Sequence, residues 1–521
     1  MQSNRNRHYK FLIAGLLFLT LDAEANAAEI NDLISREDTG KIEAITSTRS
    51  VGKIEMGGMT GEVEILFAAP DKIRMSSDFG FLKMSQAYDG NTAWLNDQNN
   101  QIMELTGGEK RSLVNAAYLT GMSYCLPDRM RADIEYQRDT TIGDSDYSIF
   151  TASPADGDTL LLYFSNKHHR LEIVGERLDE IMIYTYMSDF RVIDGLEMPF
   201  TYESRASAPE FNSTIRLSSI EANVPIDHSI FSMNDKLETD LYYPDEADSV
   251  VIPIYYYNDH IFIEVSVNGN KEVYFILDSG AGANVLDSSY AVRLGLERFG
   301  GVPAKGIAGY ESVAFAKIDS LSIGRLKLGG GLAAIINLKS LSLRLPGELG
   351  GLIGYDLLSK LPFKIIYKTK EIMFYRPDRF SPPDSIYAVD FELMLKAPLI
   401  SAVYGDFSGK FLIDLGNPFG LMLHRAFVEK HNLKETFSDI KEMGGKIGGI
   451  GGKSEAYAAT GANLLIGAVD IEHPPVMVVE AGRGFSESST VDGNIGNQLL
   501  RNFSILMDYS KKKLYILPPE K

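Results

Sequence analysis

Two aspartates stand out by where they sit. Asp278 closes the apolar run Tyr274-Phe275-Ile276-Leu277 and is followed by Ser279-Gly280; Asp414 closes Phe411-Leu412-Ile413 and is followed by Leu415-Gly416. A carboxyl group buried at the end of an apolar strand is costly unless it is paired. A glycine two residues on lets the chain turn sharply and brings backbone N–H groups to the carboxylate. Two such carboxyls about 3 Å apart cannot both ionise, so they share one proton. One then takes a proton from a held water while the other protonates or hydrogen-bonds a scissile carbonyl. That chemistry needs neither a metal nor a cofactor.

A single Asp-Ser-Gly is most often an ordinary turn, so its surroundings decide. Three elements recur in the same order. The first copy has YFILDSGAGANVLDSSYAVRLGL (274–296), KGIAGY (305–310) and GGLIGYDLLSKLPFKIIYKTKEIMFY (350–375). The second has GKFLIDLGNPFGLMLHRAFVEKHNL (409–433), GGIGGK (448–453) and DGNIGNQLLRNFSILMDYSKKKLYIL (492–517). Asp278 and Asp414, Gly306 and Gly449, and Gly354 and Gly496 are offset by 136, 143 and 142 residues. A period of this length means two related domains rather than a solenoid of short repeats. Each copy predicts a strand into the aspartate and a helix after it (Ser288 to Leu294; Arg425 to Lys430). Each then has an apolar-apolar-glycine phrase before a short helix and a hairpin. Glycine at 354 and 496 allows another backbone segment to pack close behind the aspartate loop.

This half of the chain, about 250–518, resembles the aspartic-peptidase family in its bacterial retropepsin-like branch. That family has Asp-Thr/Ser-Gly at a strand end, a later hydrophobic-hydrophobic-Gly element and a glycine-rich hairpin flap between them. The resemblance implies a mainly β fold, with a two-lobed acid-protease β-barrel pair at 249–378 and 385–518. It also implies one site shared by both lobes of a single, monomeric chain. Asp278 and Asp414 would be the catalytic pair, and Ser279, Gly280, Gly416, Gly354 and Gly496 would support their loops. The flap candidates are Gly306, Ile307 and Gly309 in the first copy and Gly449, Ile450 and Gly451 in the second, and the family favours the first. The substrate would be a peptide or protein. One departure matters: Leu415 stands where the family has Thr or Ser, and Asn417-Pro418 follow. The family's hydroxyl crosses over to tie the two loops together, and here only Ser279 can supply it.

The segment 28–245 alternates apolar and polar residues in short runs such as GEVEILFAA and EIMIYTYMSDFRV, separated by Ala69-Pro70-Asp71, Asp89-Gly90-Asn91 and Asp194-Gly195. That pattern argues half-buried antiparallel strands. A curved antiparallel β-sheet domain is expected, and a plain β-sandwich-like spacer is the simpler alternative. PDKIRM (70–75), YDGNTAWL (88–95), YMSDFRVIDGLEMPF (186–200) and IDHSIFSMN (226–234) resemble the lipoprotein-carrier half-barrel family. The resemblance implies a lipid or lipoprotein partner. A polar linker, Tyr243-Pro244-Asp245-Glu246-Ala247-Asp248, follows, and proteolysis near 240–250 is expected to release a stable C-terminal half.

The N-terminus carries Arg5, Arg7 and Lys10, the apolar run Phe11 to Leu21 and Ala25-Asn26-Ala27. About 11 apolar residues are too few for a membrane-spanning helix, so 1–27 reads as a secretory signal peptide. Export to the periplasm or cell envelope of a Gram-negative-type bacterium follows as an expectation. Removing 1–27 takes away three basic and two acidic groups and moves the net charge from −19 to −20. Such an acidic chain is a poor general binder of nucleic acid. The single cysteine, Cys125, excludes an internal disulfide and reads as a small buried apolar residue. The GGIGGKS run (448–454) lacks the first glycine of a phosphate loop, and the eight histidines lack metal spacing. A non-catalytic envelope protein that binds lipid or peptide is the alternative to a peptidase.

Overall fold

A computed structural model describes residues 30–518 except 31–35, 179–180, 234–240, 245–246, 307–308, 342–344, 346, 384, 443–446, 450–451, 481–487 and 489. The expected signal peptide, and Ile307, Ile450 and Gly451 of the flap candidates, lie outside the described residues. The protein is mainly β.

Residues 47–222 form one 13-stranded antiparallel sheet in which strands follow chain order, except that the first and last meet in the middle, Ser47–Met56 beside Ser213–Ala222. The alternation seen in the sequence is the cause: Met59–Ala68 buries Met59, Gly61 and Val63 and exposes Thr60 and Glu62. The helix Gly107–Thr120 buries Leu113, Val114, Ala117 and Tyr118. It touches strands Lys72–Asp78 and Lys83–Tyr88 near one end of the sheet and Ser145–Pro154 near the other. One helix reaches both only if the sheet curves around it. Phe150, Phe164, Leu162 and Tyr118 form the core beneath, and Cys125, 2% exposed, sits there with its thiol pushed up by burial.

The remaining chain builds two large sheets with the same internal order. In the first, His260–Val267, Val273–Leu277, Leu349–Ile353, Val285–Asp287, Gly331–Ile336 and Gly309–Ile318 are neighbours in turn. In the second the succession is Ala397–Tyr404, Phe407–Ile413, Gly493–Ile495, Leu421–His424, Pro475–Val479 and Ala456–Thr460. A six-stranded antiparallel run joins the halves, with Phe363–Ile366 of one against Ser504–Asp508 of the other. Among the described residues these paths do not close into a barrel; they end at the hairpin strands Phe299–Gly306 and Ser438–Glu442. One apolar core, from Val250 to Ile516, runs through both halves.

The N-terminal sheet lies against the first half. Met59, Phe79 and Leu82 share a cluster with Phe262, Ile276, Val313, Phe315 and Leu352. Phe81 stacks on Phe299 with ring centroids 4.5 Å apart.

Candidate active site

Each aspartate is placed by a strand exchange. Asp278 N–H donates to the Ile353 carbonyl at 2.9 Å and Asp414 N–H to that of Ile495 at 3.0 Å. The strand before each aspartate is thereby locked, in parallel, to the strand that runs into Gly354 or Gly496. These glycines are required by close approach. A Cβ at Gly354 would lie 2.3 Å from the Ala283 carbonyl oxygen, and one at Gly496 would lie 2.4 Å from that of Phe419.

The two carboxyls meet at the contact between the halves and hydrogen-bond to each other. Asp278 Oδ1 accepts N–H bonds from Gly280 (2.9 Å) and Ala281 (3.0 Å). Asp414 Oδ1 accepts from Gly416 and Asn417, both at 3.1 Å. Gly280 and Gly416 do more than turn the chain. A Cβ on Gly416 would fall 2.4 Å from Asp278 Cγ, and one on Gly280 would fall 2.8 Å from Asp414 Oδ1. Each glycine makes room for the opposite carboxyl.

Burial raises Asp278 well above the usual carboxylate range, and the neighbouring Asp414 raises it further. Burial also raises Asp414, but the Asn494 amide opposes this by donating to Oδ2 at 2.9 Å. Asp278 is thus the member pushed further toward its protonated form, and the added amide donor favours the carboxylate of Asp414. An acid and a base side by side can activate a water and protonate a carbonyl.

On one side a hydroxyl ties the two loops together. Ser279 Oγ, 1% exposed, donates to the Ile413 carbonyl at 2.6 Å and accepts from Leu415 N–H at 3.0 Å. On the other side Leu415 is fully buried and packs into the shared core. Its carbonyl is taken by Asn497 Nδ2 at 2.5 Å, and Asn497 Oδ1 accepts from Tyr367 Oη at 2.8 Å. Asn497 is thus a loop-holding residue missed in the sequence, as are Asn494 and His424 behind Asp414. The only signal was a polar residue on each side of Ile495-Gly496.

The flap candidates among the described residues lie in hairpins. Gly306 pairs with Gly309 at the end of Phe299–Gly306 and Gly309–Ile318, and Gly449 pairs with Gly452 in a separate two-stranded ribbon. Ala304 of the first hairpin and Ala281 of the Asp278 loop belong to one apolar cluster. The ribbon lies against the turn Leu338–Leu341 of the opposite half.

Residues 263–357 match the family model described as aspartyl protease. The span holds Asp278 and Gly354. Among solved structures the chain is similar to an aspartic proteinase from Irpex lacteus, at 13% identity and TM-score 0.34, over 52% of this chain and 98% of that one. It is also similar to a DUF1329 family protein from Desulfovibrio piger (13% identity, TM-score 0.30, 40% of this chain and 97% of that one). A LolA superfamily protein from Nitrosomonas europaea is similar too (13% identity, TM-score 0.28, 42% of this chain and 100% of that one). No curated protein matches.

Proposed function

We propose that the protein is an exported aspartic endopeptidase of the periplasm or cell envelope, hydrolysing peptide bonds with water activated between Asp278 and Asp414. The observation that carries this reading is the hydrogen-bonded carboxyl pair, each member cradled by two N–H groups and each facing a glycine of the other loop. Asp414 accepts the water's proton as the scissile carbonyl takes that of Asp278, and collapse of the tetrahedral adduct returns a proton to the leaving nitrogen. The glycine hairpins at 306–309 and 449–452 would receive an extended substrate as an added strand. The test is cleavage of a random peptide library by wild type, Asp278→Asn and Asp414→Asn. Each single variant should lose turnover, and the double variant should be little worse, because residues acting as a unit are not additive. Full cleavage by either variant ends the reading.

A second reading is favoured by one observation. The curved N-terminal sheet holds a cavity of about 640 Å³ lined by Leu119, Met122, Tyr124, Met187, Met198 and Tyr202, among others. On this reading the chain is a non-catalytic envelope protein whose N-terminal domain binds lipid. Native mass spectrometry that found bound lipid, with no cleavage of denatured proteins between about pH 3 and 8, would favour it.

A further inference from the structure

Behind Asp414 lies a polar chain that the matching strand positions of the first half, Leu352 and Asp287, do not repeat. Asn494 Nδ2 donates to Asp414 Oδ2 at 2.9 Å, and Asn494 Oδ1 faces His424 Nε2 at 2.8 Å. His424 Nδ1 faces the Val491 carbonyl at 2.9 Å. His424 is 0% exposed and Asn494 7%. Strand register places Asn494 opposite Met422, as Leu352 lies opposite Val285 in the first half. Two residues along, His424 therefore matches Asp287. In the first half this pair is Leu352 and an aspartate that caps a helix through Ser289 and Tyr290. The fold itself does not demand a buried His–Asn pair.

The donors and acceptors fix the protons. Val491 offers only a carbonyl, so His424 Nδ1 carries hydrogen. With Asn494 Nδ2 on Asp414, its Oδ1 is toward Nε2, so Nε2 must carry hydrogen as well: His424 is an imidazolium and Asp414 a carboxylate. A carboxamide can be turned end for end without moving its heavy atoms. Nδ2 then donates to a neutral Nε2, and Oδ1 must accept from a protonated Asp414. Both arrangements hold one proton between His424 and Asp414 and satisfy every group. Ionised Asp414 beside neutral His424 does not, because two acceptors face one another whichever way the amide points.

Among the described residues, the strands packed around His424 carry the ionisable groups Lys410, Asp414, Asp492 and Glu480. Lys410 pairs with Glu392. Asp492 accepts from Lys410 N–H, with Lys430 and His431 within charge range. Glu480 is exposed, near Arg425 and Lys434.

We propose that Asp414, Asn494 and His424 form a proton-linked triad in which the Asn494 amide couples ionisation of Asp414 to protonation of His424, so that His424 and Asn494 are positioning residues keeping Asp414 the ionised member of the pair. Its consequence for turnover rests on the peptidase reading; the proton linkage does not.

Two measurements decide it. The first is nitrogen NMR of histidine-labelled protein, with His424 assigned by loss of its signal in His424→Gln. Wild type near neutral pH should show His424 protonated on both nitrogens. In Asp414→Asn, which keeps the shape but needs no counter-charge, His424 should be neutral, with hydrogen on Nδ1 alone. An identical His424 titration in the two proteins overturns the linkage. The second is the pH profile of kcat/KM. Asn494→Leu, which installs the residue found at 352, should move the acid limb upward by about one unit, a tenfold loss on its acid side that recovers at higher pH. His424→Gln, which can still donate to Asn494 Oδ1, should move it less. Equal loss at every pH in both variants, with the limb unmoved, would leave only a packing role and overturn the proposal. Absence of wild-type cleavage would remove the peptidase reading while the NMR comparison still judged the triad.

Discussion

At the residue scale the carboxyl pair should leave a mark on stability that is separate from turnover. An ordinary aspartyl group has a pKa of 3.8, and burial together with Asp414 raises that of Asp278. Below 3.8 folded and unfolded chains both hold this proton. Above it the unfolded chain releases the proton and the folded chain keeps it, so stability falls as pH rises until Asp278 itself ionises. Asp278→Asn removes that liability. The melting temperature of the variant should therefore exceed that of wild type by a margin that widens from about pH 4 to about pH 8. Calorimetry giving a constant gap would mean that Asp278 is not held protonated in the fold. The pair and its glycines were legible in the sequence because a carboxyl at the end of an apolar strand, repeated at a fixed offset, has few other uses. The partners that complete the site were not. Asn497 reaches Leu415 across 82 residues and Asn494 reaches Asp414 across 80. In the sequence both sit in a phrase, Asp-Gly-Asn-Ile-Gly-Asn, that reads as turn grammar.

At the scale of elements, two turns from distant parts of the chain meet beside the Asp278 loop. The turn Asp97–Gln101 of the N-terminal sheet sends Asn99 to Leu332, with bonds of 3.1 Å and 2.8 Å, and Gln101 to the Asp356 carbonyl at 3.1 Å. The hairpin turn of the second half sends Lys396 to Asp97, and the Leu395 carbonyl would lie 2.8 Å from a Cβ on Gly282. Asp356 is pushed up to about 6 by burial, with Lys396 pulling the other way, and its Oδ2 takes the Asn284 N–H at 2.7 Å. Asn284 Oδ1 in turn accepts from Gly354 N–H at 3.0 Å. A chain of polar contacts thus leads from the N-terminal sheet to the glycine behind Asp278. Nothing in the sequence announces such a junction, because each turn is an ordinary turn by itself. The Lys396–Asp97 pair is buried, with side chains 11% and 1% exposed. Breaking a pair of this kind from one side leaves a buried charge and costs about 3–5 kcal/mol, whereas replacing both partners costs much less. In urea unfolding, Lys396→Met should lose about that much, and Lys396→Met with Asp97→Asn should recover most of it. A single-variant loss under about 1 kcal/mol would mark the pair as a surface contact.

At the scale of the whole molecule the question is whether the N-terminal sheet is a passenger or a part. The linker composition alone favours a passenger that proteolysis would set free. The contacts argue otherwise. Met59, Phe79 and Leu82 are 6%, 8% and 1% exposed, in one cluster with Ile276, Val285 and Leu352 from the strands that carry the Asp278 loop. Phe81 stacks on Phe299 at the base of the first glycine hairpin, and a Cβ on Gly300 would lie 2.0 Å from Met59 Sδ. The linker is itself fastened: Tyr243 Oη donates to the Phe374 carbonyl at 2.8 Å, and Asp248 pairs with Arg379 at 2.9 Å. Burying this apolar face against solvent should hold the two parts together without a covalent link. A specific protease site placed in 234–240 and cut should give two fragments that co-elute on gel filtration at micromolar concentration. Phe81→Asp with Met59→Asp, which puts charge into the contact, should let them separate after the same cut. If the unaltered fragments part on cutting, the sheet is a tethered neighbour, and the first hairpin is free of it. If they stay together and the separated first-half hairpin shows faster hydrogen exchange, the N-terminal sheet is the brace against which that hairpin moves.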